Sequence, residues 1–389
     1  MTDEAPTKAP EERELWRALT PYDRCVGVWD GGECVGTAGA FDFRLTVPGG
    51  ASVPAAGITM AGVAPTHRRR GLLTAMMRRQ LDGFRADGEA LAVLTASEPE
   101  IYGRFGYAAA TFGVSAEIDT ARVRVAVPDG ADSVRLRYVT PGDGLNACEA
   151  VYARAVPRRA GMLARRPGWE RLGVLDPESG RDGASRLQCV LAENAAGETV
   201  GYARYRVRPR WSDAGHDGVV LLQDLYALDP AACGALWRYL FSIDLTSTLV
   251  VRSRPVDDPL LHLVSDLRRC LLRTRDALYV RLVDVGVALA ARTYAAPVDV
   301  VLDVDDPFCP WNSGRWRLSG DGAGARCERT GDAADLALSV RELGAVYLGG
   351  VSLGALAGAG RVRELRGGAL GTAAVGFGGG VAPWLPHGF

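Results

Sequence analysis

Three consecutive arginines and a glycine are the residues of this sequence best suited to bind an anion. They are Arg68, Arg69, Arg70 and Gly71, in the string VAPTHRRRGLL, directly before residues with helical spacing. The N-terminus of a helix already carries partial positive charge, so arginines there are unfavourable unless an anion binds. Backbone N–H groups at a glycine turn can surround a pyrophosphate while guanidinium groups neutralise it. The cluster therefore predicts a phosphate site, and the alternative is a solvated basic turn.

A second cluster combines aromatic residues with glycines in the string SEPEIYGRFGY, which runs from Ser97 to Tyr107. The phenol of Tyr102 can donate a proton, because an unperturbed tyrosine has a pKa of about 10 and stays protonated at neutral pH. The alternative is that the aromatic residues only pack beside a glycine turn. We adopt the packing interpretation for Phe105 and Tyr107.

The pattern of apolar residues predicts the elements that must position both clusters. The segment from Cys25 to Val63 is typical of an antiparallel meander of strands, and LAVLTA at 91–96 is typical of a buried strand. Between them lie apolar residues at helical spacing, which are Leu72, Leu73, Met76, Met77, Leu81 and Phe84. The arginine cluster thus lies between a strand and a helix, and the tyrosine cluster directly follows a strand.

This arrangement resembles the GNAT superfamily of N-acetyltransferases. The acyl-CoA signature of that superfamily, Arg/Gln-x-x-Gly-x-Gly/Ala, is matched by Arg68 and Gly71, with Leu73 in the last position. The strings VAPTHRRRGLL and SExxIYGRFGY resemble one branch in particular, the Eis (enhanced intracellular survival) acetyltransferases.

The resemblance implies an acetyl-CoA site and an acid. The strand would splay from its neighbour at Val63, and its backbone would hold the pantetheine arm. Tyr102 would give a proton to the thiolate that departs after an amine attacks the thioester. The pyrophosphate would be faced by Arg68, Arg69, Gly71 and Leu72, and Arg70 and Ser97 complete the expected cofactor-binding residues.

The last residues of the sequence carry the expected base. The resemblance implies that the terminal carboxylate, here on Phe389, reaches from a sterol-carrier-like third domain into the acetyltransferase site as general base. Gly388 stands where relatives carry an acidic residue. The rival base is His387, whose unperturbed pKa of about 6.5 suits base chemistry. The alternative for both is a disordered tail.

The substrate pocket is expected to be unusual. A GNAT fold usually begins with a strand and one or two helices, but only about two dozen residues precede Cys25. We therefore expect an open pocket or one completed by a neighbouring subunit. Trp16 and Met60 are the residues that we place at its wall.

The composition excludes several classes of protein. Hydrophobic residues make up 48% and charged residues 23%, as in soluble globular proteins, and the formal net charge of −1 predicts no general attraction to nucleic acid or membranes. No cysteines have Cys-x-x-Cys spacing, so we expect reduced thiols and no metal site. The polar, acidic start MTDEAPTKAPEERE lacks the pattern of a signal peptide, which predicts a cytoplasmic protein.

A second segment repeats the first in outline, and the polar stretch VPDGADS at 127–133 separates them. Its helix is expected to start at Asp229 and Pro230, where Ala231, Ala232 and Cys233 replace the arginines of the first copy. A third segment, from Val285, combines strands with late helices. We therefore predict an α+β fold with three domains, which are a GNAT domain at 1–127, a degenerate GNAT-like domain at 134–284 and a sterol-carrier-like domain with a C-terminal tail at 285–389.

The implied activity is acetyl-CoA-dependent N-acetylation of a primary amine by direct transfer. Aminoglycosides, polyamine-like compounds and lysine side chains all fit this chemistry. The resemblance also implies a homo-hexamer. The alternative is a binding protein whose third domain carries an apolar ligand, such as a lipid, while its acetyltransferase site is vestigial.

Overall fold

The computed structural model describes residues 9–213 and 215–389. The expectation that the chain start lacks a signal peptide falls partly on residues 1–8, which lie outside the described residues. Within the described ranges, no helix combines the length and the apolar composition that a membrane crossing needs.

Helices and strands occur throughout the described part of the chain. The α-helices are, in chain order, α1 (Pro10–Leu19), α2 (Leu72–Ala86), α3 (Pro99–Tyr102), α4 (Leu145–Ala155), α5 (Pro230–Phe241), α6 (Leu260–Leu263), α7 (Val285–Ala290), α8 (Val340–Val346), α9 (Leu353–Gly358) and α10 (Ala369–Phe377). The strands are β1 (Val26–Asp30), β2 (Glu33–Thr46), β3 (Ser52–Val63), β4 (Leu91–Thr95), β5 (Ala108–Ala109), β6 (Phe112–Asp119), β7 (Arg135–Val139), β8 (Leu163–Ala164), β9 (Gln188–Glu193), β10 (Thr199–Arg208), β11 (Trp211–Ser212), β12 (Gly215–His216), β13 (Gly218–Ala227), β14 (Thr246–Pro255), β15 (Arg273–Asp276), β16 (Leu278–Leu282), β17 (Val298–Asp305), β18 (Gly314–Gly320), β19 (Ala325–Arg329), β20 (Leu336–Ser339) and β21 (Val362–Glu364).

The chain divides into two compact units, and neither is one continuous stretch. The first unit comprises the described residues up to Thr20, Val114–Val156 and Arg165–Arg275. The second unit comprises Pro21–Gly113, Pro157–Ala164 and Asp276–Phe389.

One sheet of the second unit is built around the predicted meander and has the strand order β1-β2-β3-β4-β16-β5, with β8 beside β2. Helix α2 covers one of its faces, where the spacing of Met76, Met77 and Leu81 places all three in the core with Ala38 and Ile58. Strand β16 pairs antiparallel with β4 and β5. Residues far apart in sequence therefore complete the sheet that positions the candidate site.

The segment of the second unit from Val285 onward has its own sheet, with the strand order β19-β18-β17-β20-β21. Arg292 lies in the interior of this segment with 1% of its surface exposed. Its guanidinium donates to the carbonyl oxygens of Tyr347 and Phe377, and it stacks on Tyr294 with 4.6 Å to the ring centroid. The buried charge is thus accommodated by carbonyl groups at the ends of α8 and α10.

The first unit contains the sheet β15-β6-β14-β13-β10-β9-β7. Helix α5 connects the parallel pair β13 and β14, as α2 connects β3 and β4, which supports the predicted duplication. Asp229 caps α5 by accepting a hydrogen bond of 2.8 Å from the N–H of Ala232, and Pro230 is the first helical residue. The predicted helix start is therefore confirmed.

Candidate active site

The sheet that contains β3 and β4 opens because these two strands pair over only part of their length. Strands β3 and β4 are parallel neighbours from Ala55, which pairs with Leu91, to Gly57, which pairs with Val93. Strand β3 continues to Val63, six residues beyond the last pair. The half-buried Val63 thus lies on the part of β3 that no longer pairs with β4, where backbone groups are available to a ligand.

The arginine cluster forms an exposed turn between β3 and α2. Arg68, Arg69 and Arg70 are all exposed, and Arg69 has a left-handed backbone with φ of 63°. Gly71 precedes the first residue of α2 with φ of 81° and ψ of 2°. A Cβ atom at Gly71 would meet no heavy atom within 4 Å, so glycine is favoured there by its backbone conformation rather than by crowding.

The N-terminus of α2 suits an anion because it receives no side-chain cap. Leu72 opens this 15-residue helix and is half-buried. The N–H groups of the first turn therefore remain as donors beside the three guanidinium groups.

A histidine fixes the start of the same turn. His67 Nε2 lies 3.0 Å from Oδ2 of Asp30, and its Nδ1 lies 2.8 Å from Oγ1 of Thr66. The hydrogen bond from His67 lowers the pKa of the Asp30 carboxyl. His67 therefore serves as a structural residue of this turn.

Tyr102 ends the short helix α3, directly after β4, and is 9% exposed. Its ring packs edge-to-face on Tyr107 with centroids 6.2 Å apart. Burial, and next the charge of Glu98, raise the pKa of Tyr102. Among the described residues its hydroxyl has no hydrogen-bond partner, so a protonated phenol is available to a ligand. Ser97 lies exposed between β4 and α3.

The turn that follows Tyr102 rests on a buried ion pair that sequence reasoning missed. Arg281 and Asp306 are 0% exposed, and their side chains lie 2.7 Å apart. A Cβ atom at Gly106 would lie 2.8 Å from Nε of Arg281. Phe105 and Tyr107 are fully buried around it. The sequence carries no short-range signal for this pair, because Arg281 lies on β16 and its partner follows β17.

The ring of Phe389 lies on the sheet at the last paired position of β3. It packs edge-to-face on Phe43 with centroids 4.8 Å apart. A Cβ atom at Gly57 would collide with Phe43 and lie 3.1 Å from Cε2 of Phe389. The last residue is thus docked on this sheet. His387 is half-exposed, with Nδ1 3.3 Å from the carbonyl oxygen of Gly388.

Met60 lies at an irregularity of the same strand. The pairing of β2 and β3 shifts register between Thr37 and Gly39, and Met60 has φ of 50° and is 50% exposed. Oγ1 of Thr37 donates a hydrogen bond of 3.0 Å to the carbonyl oxygen of Met60. The methyl group of Met60 and the thiol of Cys25 both lie over Gly39.

Strand pairing assigns these residues to faces of the sheet. Gly39 pairs with Thr59 and Phe41 pairs with Gly57. Directly paired residues share a face and alternate residues of a strand share a face, so Gly39 and Gly57 are on the same one. Met60 and Phe389 therefore lie over one face of the sheet.

The opposite face is the one covered by α2. Its residues, which include Ala40 and Ile58, belong to the core cluster that contains Tyr102. Tyr102 therefore packs with the residues of the α2 face, whereas the ring of Phe389 lies over the other face at Gly57.

Trp16, the other residue predicted for the pocket wall, belongs to the first compact unit. It packs edge-to-face on Trp169 with centroids 5.6 Å apart, and its Nε1 donates to Glu12 over 3.3 Å. Its place at the wall remains a prediction.

No group of three or more His, Cys, Asp or Glu side chains suited to a metal ion occurs in the described part of the chain.

Family models match almost the entire chain. Residues 2–110 and 161–282 each match an acetyltransferase (GNAT) domain, and residues 285–386 match a sterol carrier protein domain. The predicted α+β fold, with tandem GNAT domains followed by a sterol-carrier-like domain, is therefore confirmed.

Several relatives are similar to this chain over most of its length. An uncharacterized N-acetyltransferase of Streptomyces avermitilis is 70% identical over 382 residues, which covers 98% of this chain and 93% of that protein. N-acetyltransferase Eis of Mycobacterium tuberculosis is 38% identical over 373 residues, covering 91% and 86%. The crystal structure of Eis1 from Mycobacterium abscessus matches with a TM-score of 0.84 and 35% identity, over 100% of this chain and 94% of that one. The chain belongs to the Eis family of GNAT N-acetyltransferases.

Proposed function

We propose that the protein transfers the acetyl group of acetyl-CoA to a primary amine. The two reactants lie on opposite faces of the sheet that contains β3 and β4. The observation that carries this proposal is the placement of Tyr102 with the α2 face and of Phe389 over the other face, beside the opening between β3 and β4. An acid and a base so arranged act on opposite sides of one reacting carbonyl group.

The cofactor site combines the exposed turn with the unpaired end of β3. Arg68, Arg69 and Arg70, with the uncapped N–H groups that follow Gly71, bind the pyrophosphate. The backbone near Val63 holds the pantetheine arm, and Leu72 and Ser97 line the same site. The three cations and the uncapped helix end fit an anionic cosubstrate.

The chemistry is direct transfer. Acetyl-CoA supplies an acetyl thioester, whose carbon–sulfur bond breaks as the carbon–nitrogen bond to the amine forms. The carboxylate at Phe389 takes a proton from the amine nitrogen. The phenol of Tyr102 gives its proton to the departing sulfur.

The amine belongs to an aminoglycoside-like compound, a polyamine or a lysine side chain, as the family resemblance implies. Met60 lies on the Phe389 face and lines the amine pocket. In keeping with the same resemblance, the protein is a cytoplasmic homo-hexamer. Light scattering that shows a monomer at assay concentration would contradict the hexamer.

The experiment that tests the activity is a thiol-release assay with acetyl-CoA and a panel of amines from these three classes. We expect CoA release that depends on the amine, with mass spectrometry detecting the N-acetylated product. Absence of turnover with every amine, together with tight binding of a fluorescent lipid, would favour the apolar-ligand carrier.

A further inference from the structure

The final segment, residues 378–389, contains no helix or strand, yet it is held at defined points. The residue before it is Phe377, the last residue of α10, whose carbonyl oxygen accepts a hydrogen bond of 3.2 Å from Nη2 of Arg292. Farther on, Trp384 and Leu385 are 5% and 3% exposed. The segment is therefore a docked strap rather than a loose end.

The strap is joined to residues 159–161, which lie between α4 and β8. Nη1 of Arg159 donates a hydrogen bond of 2.6 Å to the carbonyl oxygen of Ala382. The backbone N–H of Trp384 donates a hydrogen bond of 2.9 Å to the carbonyl oxygen of Ala160. Two hydrogen bonds thus fix the backbone on both sides of residue 383.

Gly161 brings the two backbones into close approach. A Cβ atom there would lie 3.0 Å from both the backbone nitrogen and the carbonyl oxygen of Trp384. Gly161 also has φ of 89°, in the left-handed region. Any larger residue would push the strap away from this position.

We propose that Arg159 and Gly161 are positioning residues, which set the place of Phe389 on the sheet by clamping the strap at Ala382 and Trp384. The inference rests on the proposed role of the Phe389 carboxylate as base. Only four residues lie between Trp384 and Phe389, whose ring lies over Gly57, so a shift at the clamp moves the base. Neither residue touches the reacting atoms, and both act through the strap.

The test compares Arg159→Ala and Gly161→Ala with Arg315→Ala as the matched control. Arg315 also donates to backbone carbonyls, of Gly331 and Asp332, but it does not contact the strap. We expect kcat to fall by about 10- to 100-fold in the two clamp variants, the scale for a group displaced by about 1 Å. The KM for acetyl-CoA should stay close to that of the control in both variants, and so should the thermal midpoint of Arg159→Ala. Gly161→Ala should have a lower midpoint, because a residue with a Cβ atom is strained at a φ of 89°. Added formate should partly restore kcat.

A combined variant separates positioning from general damage. A C-terminal extension after Phe389 removes the free carboxylate, so adding Arg159→Ala to the extended protein should cause little further loss of kcat. Additive losses would overturn the inference, and so would an unchanged kcat in Arg159→Ala while the extension alone is damaging. If the extension itself leaves kcat unchanged, the base assignment fails, and positioning of a base by Arg159 fails with it.

Discussion

The ring of Phe389 lies over Gly57, the last residue of β3 that pairs with β4. A side chain at residue 57 would collide with Phe43 and crowd Phe389, so the docking place of the final residue depends on the absence of a Cβ atom. The last residue is therefore docked at the same glycine after which the two strands stop pairing.

Gly57→Ala tests this relationship. We expect kcat to fall by about 10-fold or more, because the added methyl group displaces the Phe389 ring from the sheet. Acetyl-CoA affinity, measured by calorimetry, should change little, since the arginine turn is not altered. Gly32→Ala, in the turn between β1 and β2, is the control, because a Cβ atom there meets nothing within 4 Å. Equal kcat values in both variants would contradict the prediction.

Gly71→Glu tests the anion site. The new side chain adds bulk and negative charge where we place the pyrophosphate, and its backbone must adopt a φ of 81°. We expect acetyl-CoA binding to be lost by calorimetry while the protein stays folded, because residue 71 is exposed. Gly71→Asn, which tolerates the left-handed conformation, should retain most of the affinity. Near-normal affinity of Gly71→Glu would remove the assignment.

Tyr102→Phe tests the acid. We expect unchanged CoA affinity and a kcat lower by about 100-fold or more, the scale for losing a positioned acid. Unchanged kcat would reduce Tyr102 to a packing residue.

The pH profile gives an independent check of the same acid. Burial and the charge of Glu98 raise the pKa of Tyr102, so the phenol keeps its proton at higher pH than an ordinary tyrosine does. The alkaline limb of kcat should therefore lie above pH of about 10. Glu98→Gln removes the negative charge that raises the pKa of Tyr102, so it should move the alkaline limb of kcat to lower pH. A shift of the limb to higher pH would exclude Tyr102 as the group that titrates there.

The sequence predicts those parts of the structure that depend on residues close together in the chain, such as helix α2 and the turn before it. The helical spacing of Met76, Met77 and Leu81 predicts α2 correctly, and the glycine before it predicts the turn. Asp229 and Pro230 predict the start of α5 for the same reason, because a cap and its helix are neighbours in the chain. These features depend on residues fewer than about five positions apart.

The remaining features depend on contacts between residues that lie from 25 to 223 positions apart in the sequence. Nothing near Arg281 in sequence indicates that β16 completes a sheet begun at residue 26, or that Asp306 pairs with it. The clamp between Arg159 and Ala382 is equally remote. Such pairings follow from tertiary packing, which a pattern within one segment does not specify.

The Arg281–Asp306 pair should dominate the stability of the turn after Tyr102. Arg281→Leu leaves the carboxylate of Asp306 buried without its cation, which destabilises a protein by about 3–5 kcal/mol. The measurement is the free energy of unfolding in urea. The paired change Arg281→Leu with Asp306→Leu should recover part of the loss, since no buried charge remains. A smaller loss in the single variant than in the double one would contradict this account.

The last prediction concerns the carboxylate of Phe389. A free carboxylate has a pKa of about 3.5, far below that of an amine, so position must compensate for its weak basicity. The edge-to-face contact with Phe43 and the clamp at Arg159 supply that position. An amide in place of the carboxylate keeps the ring and the strap, so we expect kcat to fall strongly while acetyl-CoA affinity and folding stay nearly intact. His387→Ala should do little, because the imidazole is half-exposed. A fully active amidated protein, together with an inactive His387→Ala variant, would assign the base to the histidine instead.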